Sequence, residues 1–193
     1  MIEIRWHARG GQGAWTASNL LAAAAVKEGK FVQSFPTFGP ERMGAPVAAF
    51  TRISEEAIEL HCMIYEPDVV IVMDPTVIKT VNVTEGLKEG GILLVNWEGG
   101  ELKEMLGEVG GKEVYFLPAT RIAREYIGRP VTGTAMIGGL LGIKPLIKLE
   151  SIKKALYERF SPPLAEKNVR VVEEGMSSVC LLYTSPSPRD LST

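Results

Sequence analysis

Cysteine and histidine are scarce in this chain of 193 residues, which contains two of each. The cysteines are Cys62 and Cys180, and the histidines are His7 and His61. A [4Fe–4S] cluster takes four cysteine thiolates, and a structural zinc site takes four ligands that are usually closely spaced. The sequence therefore predicts neither kind of metal site within this chain.

Excess charge of one sign and long apolar runs are also absent. The formal net charge is −2, so no overall basic surface points to nucleic acid or to anionic lipid. No apolar run approaches the roughly 20 residues of a membrane span, and the N-terminus lacks the pattern of a signal peptide. We therefore expect a cytoplasmic protein that binds neither nucleic acid nor membrane.

The composition is that of an ordinary globular protein, with 46% hydrophobic and 23% charged residues. The length suits one domain with a sizeable core, and we place that domain at residues 1–178. Residues 179–193 are rich in Ser and Pro near the end and have neither a helical nor a strand period. This tail is expected to be disordered or non-native.

Strand and helix patterns alternate along most of the chain. We predict strands at 2–8, 31–35, 69–73, 91–96 and 114–117, a β-hairpin over 47–62, a first helix at 14–27, and mostly helix beyond residue 130. These patterns predict an α/β fold, a three-layer α/β/α sandwich with a mostly parallel sheet and an antiparallel hairpin insertion.

The turn between the first strand and the first helix is rich in glycine. It consists of Arg9, Gly10, Gly11, Gln12 and Gly13. A helix N-terminus combines unpaired N–H groups with the positive end of the helix dipole, which favours an anionic ligand. The guanidinium of Arg9 and the amide of Gln12 suit a phosphate or a carboxylate. The alternative is that the glycines serve only close packing at a β–α turn.

Two common nucleotide motifs do not match this turn. A dinucleotide fingerprint needs glycine where Ala8 stands, and it needs an acid at the end of the second strand, where the sequence is Gln33-Ser34-Phe35-Pro36. A Walker loop needs Lys followed by Ser or Thr after the last glycine, and this chain has Ala14 there.

A second loop, residues 38–46, contains both Glu41 and Arg42. If the first two strands are neighbours, this loop lies beside the glycine loop at the carboxyl edge of the sheet, where open α/β sheets bind ligands. The alternative is a surface turn stiffened by Pro and Gly, with solvated charges.

Other candidate residues carry weaker signals. We interpret His7 as a half-exposed strand histidine rather than a general base. Asp74 follows a buried strand, where it serves either chemistry or helix capping. Thr132 and Thr134 flank Gly133 in an anion-binding turn or a helix cap.

The two loops together resemble the gamma-subunit family of the pyruvate (2-oxoacid):ferredoxin oxidoreductases. The likeness rests on the sequence RWHARGGQGA at 5–14 and FPTFGPERMGAPV at 35–47, and it extends over roughly residues 2 to 177. Ala8 is a departure, because the family usually has glycine at that position.

The resemblance implies one subunit of a larger enzyme. In the family, thiamine diphosphate binds between alpha and beta subunits, [4Fe–4S] clusters lie in beta and delta, and the complex converts pyruvate to acetyl-CoA and CO2 with electrons passing to ferredoxin. It therefore implies a gamma subunit that binds no cofactor alone, is inactive alone, and works with alpha, beta and delta subunits and, through the complex, with ferredoxin.

The resemblance also implies that the two loops receive coenzyme A or contact another subunit. The residues in question are Arg9, Gly10, Gly11, Gln12, Gly13, Glu41 and Arg42. Two other functions stay open at this point: a free-standing Rossmann-like nucleotide-binding oxidoreductase, and a purely structural assembly subunit.

Overall fold

The protein, described here by a computed structural model, is a sheet with helices on both faces. The structure describes residues 1–37, 43–99, 102–107 and 109–184. Within these ranges the strands are β1 (Ile2–Arg9), β2 (Phe31–Pro36), β3 (Pro46–Ser54), β4 (Val69–Val72), β5 (Ile92–Asn96), β6 (Glu113–Leu117) and β7 (Cys180–Thr184). The helices are α1 (Ala14–Val26), α2 (Leu102–Leu106), α3 (Ala119–Ile127), α4 (Gly133–Ile143), α5 (Leu149–Arg159) and α6 (Pro162–Ser178), with a 3₁₀ helix at Pro75–Lys79.

All the described strands join one sheet in the order β2-β3-β1-β4-β5-β6-β7. The neighbours β1, β4, β5 and β6 are parallel, while β3 is antiparallel to both β1 and β2, and β7 is antiparallel to β6. All strands except β3 and β7 therefore point the same way. The predicted α/β fold with a mostly parallel sheet is confirmed.

The predicted hairpin over residues 47–62 is wrong in its second half. Residues 46–54 form β3, but residues 57–62 form no strand. Both edges of β3 are already paired, with Ala49 opposite Trp6 of β1 on one side and opposite Pro36 of β2 on the other. No backbone edge of β3 is left for a further strand, so the antiparallel insertion consists of β2 and β3.

The first face of the sheet is covered by helices in two tiers. Ile4, Trp6 and Ala8 of β1 are fully buried here in the main core, which includes residues of α1 and α4. Helix α4 lies between the sheet and α6, and its small residues allow close packing on both sides. A Cβ on Gly138 would overlap the carbonyl oxygen of Val172 in α6.

The second face has a thinner cover of the 3₁₀ helix, α2 and irregular segments. Its core is smaller and contains Val70, Val72, Leu93 and Val95 of the central strands. Arg5 and His7, which alternate with the apolar side chains of β1, are buried on this face. The third layer of the sandwich is therefore present but built from little regular helix in the described part of the chain.

The beginning of the predicted disordered tail is a strand. Residues 180–184 form β7 and pair with β6, with a register shift between Val114 and Tyr115. Without β7, strand β6 would be the edge of the sheet, and pairing supplies partners for its backbone groups. Residues 185–193 lie outside the described residues, and the boundary at residue 178 stays a prediction.

The helices of the described ranges include none that is long and apolar enough to cross a membrane.

Candidate functional site

The glycine loop leads from the end of β1 directly into α1. Gly11 and Gly13 have φ values of 89° and 80°, a left-handed conformation that side chains disfavour. Gly13 is the N-cap residue of α1 and supplies no side-chain cap, so the first-turn N–H groups receive no hydrogen bond from an N-cap side chain. The sequence of the loop thus leaves the positive end of α1 accessible.

A cavity of about 600 Å³ lies against this loop, at the carboxyl ends of β1, β4 and β5. Helix α1 leaves β1 on the first face and packs on β2 and β3, whereas the connection that begins with the 3₁₀ helix leaves β4 on the second face and leads to β5. Ligands of open α/β sheets bind at such a switch point, because diverging connections open a crevice there. The lining residues come from the glycine loop, the ends of β4 and β5, the segment before α4, and helices α1, α3, α4 and α6. They include Gly11, Gln12, Gly13, Thr16, Asp74, Asn96, Arg129, Thr132, Gly133 and Asn168.

A second helix begins at the same cavity. Thr132 is the N-cap residue of α4, and its side chain makes no cap hydrogen bond. The hydroxyl of Thr134 instead donates to Asn168 Oδ1 at 2.9 Å. Helices α1 and α4 pack so closely here that a Cβ on Gly133 would lie 3.0 Å from that of Ala17. Two helix N-termini therefore open into one space, and both favour negative charge.

Arg9 uses its guanidinium to bind neighbouring loops. Its Nε donates to Thr76 Oγ1 at 2.7 Å, its Nη2 to the Thr76 carbonyl at 3.3 Å, and its Nη1 to the Gly44 carbonyl at 2.9 Å. Gln12 likewise donates to Asp74 Oδ2 at 2.6 Å and accepts from the backbone N–H of Arg9 at 2.8 Å. Both side chains thus brace the loop from within the chain.

Asp74 follows β4 and is the hub of these contacts. Its Oδ1 accepts from both the N–H and the hydroxyl of Thr76, so it caps the 3₁₀ helix as well as holding Gln12. Burial raises the pKa of Asp74, but hydrogen bonds from Thr76 and Gln12 and the nearby Arg9 charge outweigh it, and the pKa is lowered overall. The carboxylate is therefore ionised at neutral pH.

The second loop meets the glycine loop, although not through neighbouring first and second strands. Strand β3 separates β1 from β2, so the condition that the first two strands are neighbours is not met. Residues 44–45 nevertheless contact Gly10, which donates to the Ala45 carbonyl at 2.8 Å and accepts from Gly44 at 3.2 Å. Glu41 and Arg42 lie outside the described residues.

His7 is buried rather than half-exposed, because β1 is a central strand with cover on both faces. Its exposure is 6%, and its Nε2 has no hydrogen-bond partner among the described residues. Burial, together with the charge of Arg5, lowers the pKa of His7 to about 4. His7 is not among the described residues that line the cavity.

Sequence patterns missed the meeting of α1 and α4. The local sequence allows Asp74 either chemistry or helix capping, and Thr132 and Thr134 either an anion-binding turn or a helix cap. Nothing in it links these residues to residues 9–13. In the described ranges, no three His, Cys, Asp or Glu side chains lie close enough together to hold a metal ion.

Comparisons with known proteins agree with this architecture. The family model for pyruvate ferredoxin/flavodoxin oxidoreductase matches residues 3–178. The chain is 53% identical over 179 residues to the pyruvate/ketoisovalerate oxidoreductases common subunit gamma of Thermococcus kodakarensis, covering 92% of this chain and 96% of that protein. It is 47% identical over 183 residues to the pyruvate synthase subunit PorC of Methanocaldococcus jannaschii, covering 95% of this chain and 99% of that protein.

A solved structure has the same fold along nearly the whole chain. The pyruvate oxidoreductase subunit PORC of Thermotoga maritima superposes with a TM-score of 0.84 at 38% identity, covering 94% of this chain and 98% of that one. The 2-oxoglutarate:ferredoxin oxidoreductase of Magnetococcus marinus shares the fold at 21% identity, with a TM-score of 0.76, and its matching chain is covered to 32%. Because the family model spans most of the chain and the relatives match over most of their length, this chain belongs to the pyruvate ferredoxin/flavodoxin oxidoreductase family.

Proposed function

We propose that this chain is the gamma subunit of a pyruvate (2-oxoacid):ferredoxin oxidoreductase, which converts pyruvate and coenzyme A to acetyl-CoA and CO2 and passes electrons to ferredoxin. The relatives are named as gamma or PorC subunits, and the chain matches them over nearly their whole length. One relative is a gamma subunit common to pyruvate and ketoisovalerate oxidoreductases. A shared gamma subunit is consistent with a 2-oxoacid pocket that lies mainly on other subunits.

The enzyme needs partners for its redox chemistry. Thiamine diphosphate and [4Fe–4S] clusters belong to the alpha, beta and delta subunits in this proposal, and ferredoxin meets the complex rather than this chain. The cysteine content is consistent with that division, because the chain has two cysteines and a [4Fe–4S] cluster takes four cysteine thiolates. The complex is assigned to the cytoplasm.

The cavity at the carboxyl edge is the part of this chain that receives the phosphate-bearing portion of coenzyme A. The observation that carries this assignment is the convergence of two helix N-termini, at Gly13 and Thr132, on one space of about 600 Å³. That volume is within the range of roughly 300–1,000 Å³ typical of ligand pockets. Arg129 adds an exposed cation at the rim.

The glycine loop has two tasks in this proposal. Gly10, Gly11 and Gly13 allow the backbone to approach an anionic group, because no Cβ stands in the way. Arg9 and Gln12 hold the loop in shape, and Glu41 and Arg42 belong to the neighbouring loop that contacts another subunit.

The test replaces the cation at the rim in the assembled enzyme. Arg129→Gln removes a donor and a positive charge while leaving the backbone of α4 unchanged. We expect the KM for coenzyme A to rise about fivefold, with kcat and the KM for pyruvate nearly unchanged, as for loss of one charge-assisted hydrogen bond near solvent.

Arg170→Gln is the matched control, because Arg170 is exposed on α6 and pairs with Glu166 away from the cavity. Its KM for coenzyme A should equal that of the unaltered enzyme. If Arg129→Gln also leaves that KM unchanged while the complex assembles normally, the coenzyme A assignment fails and a purely structural subunit is the better description.

A further inference from the structure

A continuous set of hydrogen bonds joins the end of β1 to the end of β4. Arg9 Nε donates to Thr76 Oγ1 at 2.7 Å, and the Thr76 hydroxyl, having accepted that bond, donates to Asp74 Oδ1 at 2.7 Å. Gln12 closes the circuit by bonding Asp74 Oδ2 on one side and the Arg9 N–H on the other. Each donor in this circuit has one acceptor, so its direction is fixed.

The orientation of the Gln12 amide depends on Asp74. Its Oε1 must face the Arg9 N–H, since that backbone group can only donate. Its Nε2 must then face an acceptor, and Asp74 Oδ2 is that acceptor at 2.6 Å. With Asn in place of Asp74, the amide NH2 of the Asn would face Gln12 Nε2, so that two donors would meet. If the Gln12 amide flipped to avoid this, its Nε2 would face the Arg9 N–H, and two donors would meet there instead.

The circuit also holds the loop backbone. Gln12 lies between Gly11 and Gly13, the two residues of the loop with positive φ. Arg9 reaches the Gly44 carbonyl, and the Gly10 N–H reaches the Ala45 carbonyl. Without the Gln12 anchor, the flexible glycines are free to leave the conformation that opens α1 to the cavity.

From these contacts we propose that Asp74 is a positioning residue, whose ionised carboxylate fixes Gln12 and, through it, the shape of the Gly10–Gly13 loop. Asp74 acts on the loop rather than on a ligand. The proposal draws on the proposed function in one respect only, the use of coenzyme A as a kinetic probe.

The experiment exchanges the charge between the two partners in the assembled oxidoreductase. Asp74→Asn and Gln12→Glu are compared singly and together. In the double variant, the new carboxylate accepts from both the Arg9 N–H and the new amide, whose oxygen still accepts from Thr76. Every group of the circuit then has a hydrogen-bond partner. In Asp74→Asn alone two amide donors would face each other, and in Gln12→Glu alone two carboxylates would.

Two readouts are measured on the four enzymes. Amide hydrogen exchange of Gly10 and Gln12, whose N–H groups donate to the Ala45 and Arg9 carbonyls, should quicken about fivefold in each single variant and return to the original rate in the double variant. The KM for coenzyme A should follow the same order, with kcat changed by less than about twofold. Glu166→Gln, which removes one exposed negative charge on α6, is the control and should change neither quantity.

The pH dependence separates the two single variants. In Gln12→Glu two carboxyl groups lie within hydrogen-bond distance, so they share a proton at low pH and repel one another once it is lost. Its defect should therefore shrink as the pH falls from about 7 to about 5, while that of Asp74→Asn stays constant. Gln12 is exposed, so these variants leave the core intact.

The outcomes are distinguishable. A double variant no better than the worse single variant, or unchanged exchange at the Gly10 and Gln12 amides in the single variants, overturns the positioning role. If exchange follows the expected order while the KM for coenzyme A stays constant, Asp74 keeps this role and the assignment of the cavity to coenzyme A is lost.

Discussion

The two faces of the central strand β1 differ in chemistry but not in burial. Ile4, Trp6 and Ala8 are fully buried under helices on the first face, while Arg5 and His7 are 9% and 6% exposed on the second. Alternation of apolar and polar residues usually indicates a strand with one buried face and one solvent-exposed face. Here the polar positions face a cover of short helix and irregular backbone.

The difference shows what each cover requires. Regular helices satisfy their own backbone groups, so α1 and α4 present apolar and small side chains to the sheet. Irregular segments leave backbone carbonyl groups without a hydrogen-bond donor from the same segment. Arg5 Nη2 donates to two such groups, the carbonyls of Val83 and Glu85. The polar side of β1 is thus matched to a loop rather than to water.

The largest expected effect is on the first face, where α4 meets α6. Gly138→Ala would place a Cβ against the Val172 carbonyl oxygen, a backbone atom that cannot move without displacing α6. We expect the free energy of unfolding to fall by about 3 kcal/mol. Urea unfolding of the purified chain measures it.

Gly139→Ala is the matched control in the same helix. Its Cβ would lie 2.9 Å from Leu117 Cδ2, the end of a side chain that can shift. The loss should be about 1 kcal/mol, partly offset by the better helix propensity of alanine. Equal losses at the two positions would contradict the close-packing account of α4.

The next effect is the pH dependence of the second face. The folded protein holds His7 neutral with a pKa of about 4, below the ordinary value of 6.5, so the unfolded chain binds more protons between these limits. Stability from the neutral histidine is therefore complete above about pH 6.5 and is lost as the pH falls to about 4. The lowering of the His7 pKa from 6.5 to about 4 corresponds to about 3 kcal/mol in the free energy of unfolding.

His7→Gln isolates this contribution because glutamine does not titrate. Chemical unfolding at a series of pH values should show a shallower loss of stability between about pH 6.5 and 4 in the variant than in the unaltered chain. Parallel curves would mean that His7 has the same pKa in the folded and unfolded chain, contrary to the lowering expected from its burial.

The smallest of the three effects is expected from removing the buried guanidinium of Arg5. Arg5→Met keeps the length of the side chain but leaves the Val83 and Glu85 carbonyls without their donor. We expect a loss of about 2 kcal/mol in urea unfolding, as for buried acceptors left unsatisfied.

Arg170→Met provides the comparison, because that arginine is exposed and pairs with Glu166 four residues earlier in α6. Its loss should be under about 0.5 kcal/mol. If Arg5→Met is equally mild, the irregular cover of the second face obtains its hydrogen bonds elsewhere.

The elements with strong local signals were predictable from sequence. The alternation in β1, the apolar runs of β4 and β5, and the glycine loop before α1 each depend on neighbouring residues. The second half of the hairpin and the start of the tail were not, because pairing depends on which sheet edges are free. Both edges of β3 are paired with β2 and β1, so residues 57–62 have no edge of β3 to pair with. The outer edge of β6 is open to pairing, and β7 pairs there.

The candidate site divides in the same way. The sequence identified Arg9 and Gln12 as polar groups on a glycine loop, and the resemblance of that loop to a known family was confirmed over most of the chain. From the sequence, both side chains were predicted to face a ligand. In the structure they bond to Asp74 and Thr76, which are more than 60 residues away along the chain, and no local pattern indicates that these residues are in contact.

The amino-acid sequence was enough to specify the strand, the turn and the helix at the N-terminus, because glycine conformation and residue periodicity act locally. It also determined the family, since the motifs of both loops are read directly from residue identity. Three outcomes are visible only in the folded chain: α1 and α4 begin at one cavity, Arg9 and Gln12 brace the loop, and His7 is buried. Those outcomes follow from packing between segments far apart in the chain, where hydrogen-bond partners and cover are supplied by the whole fold.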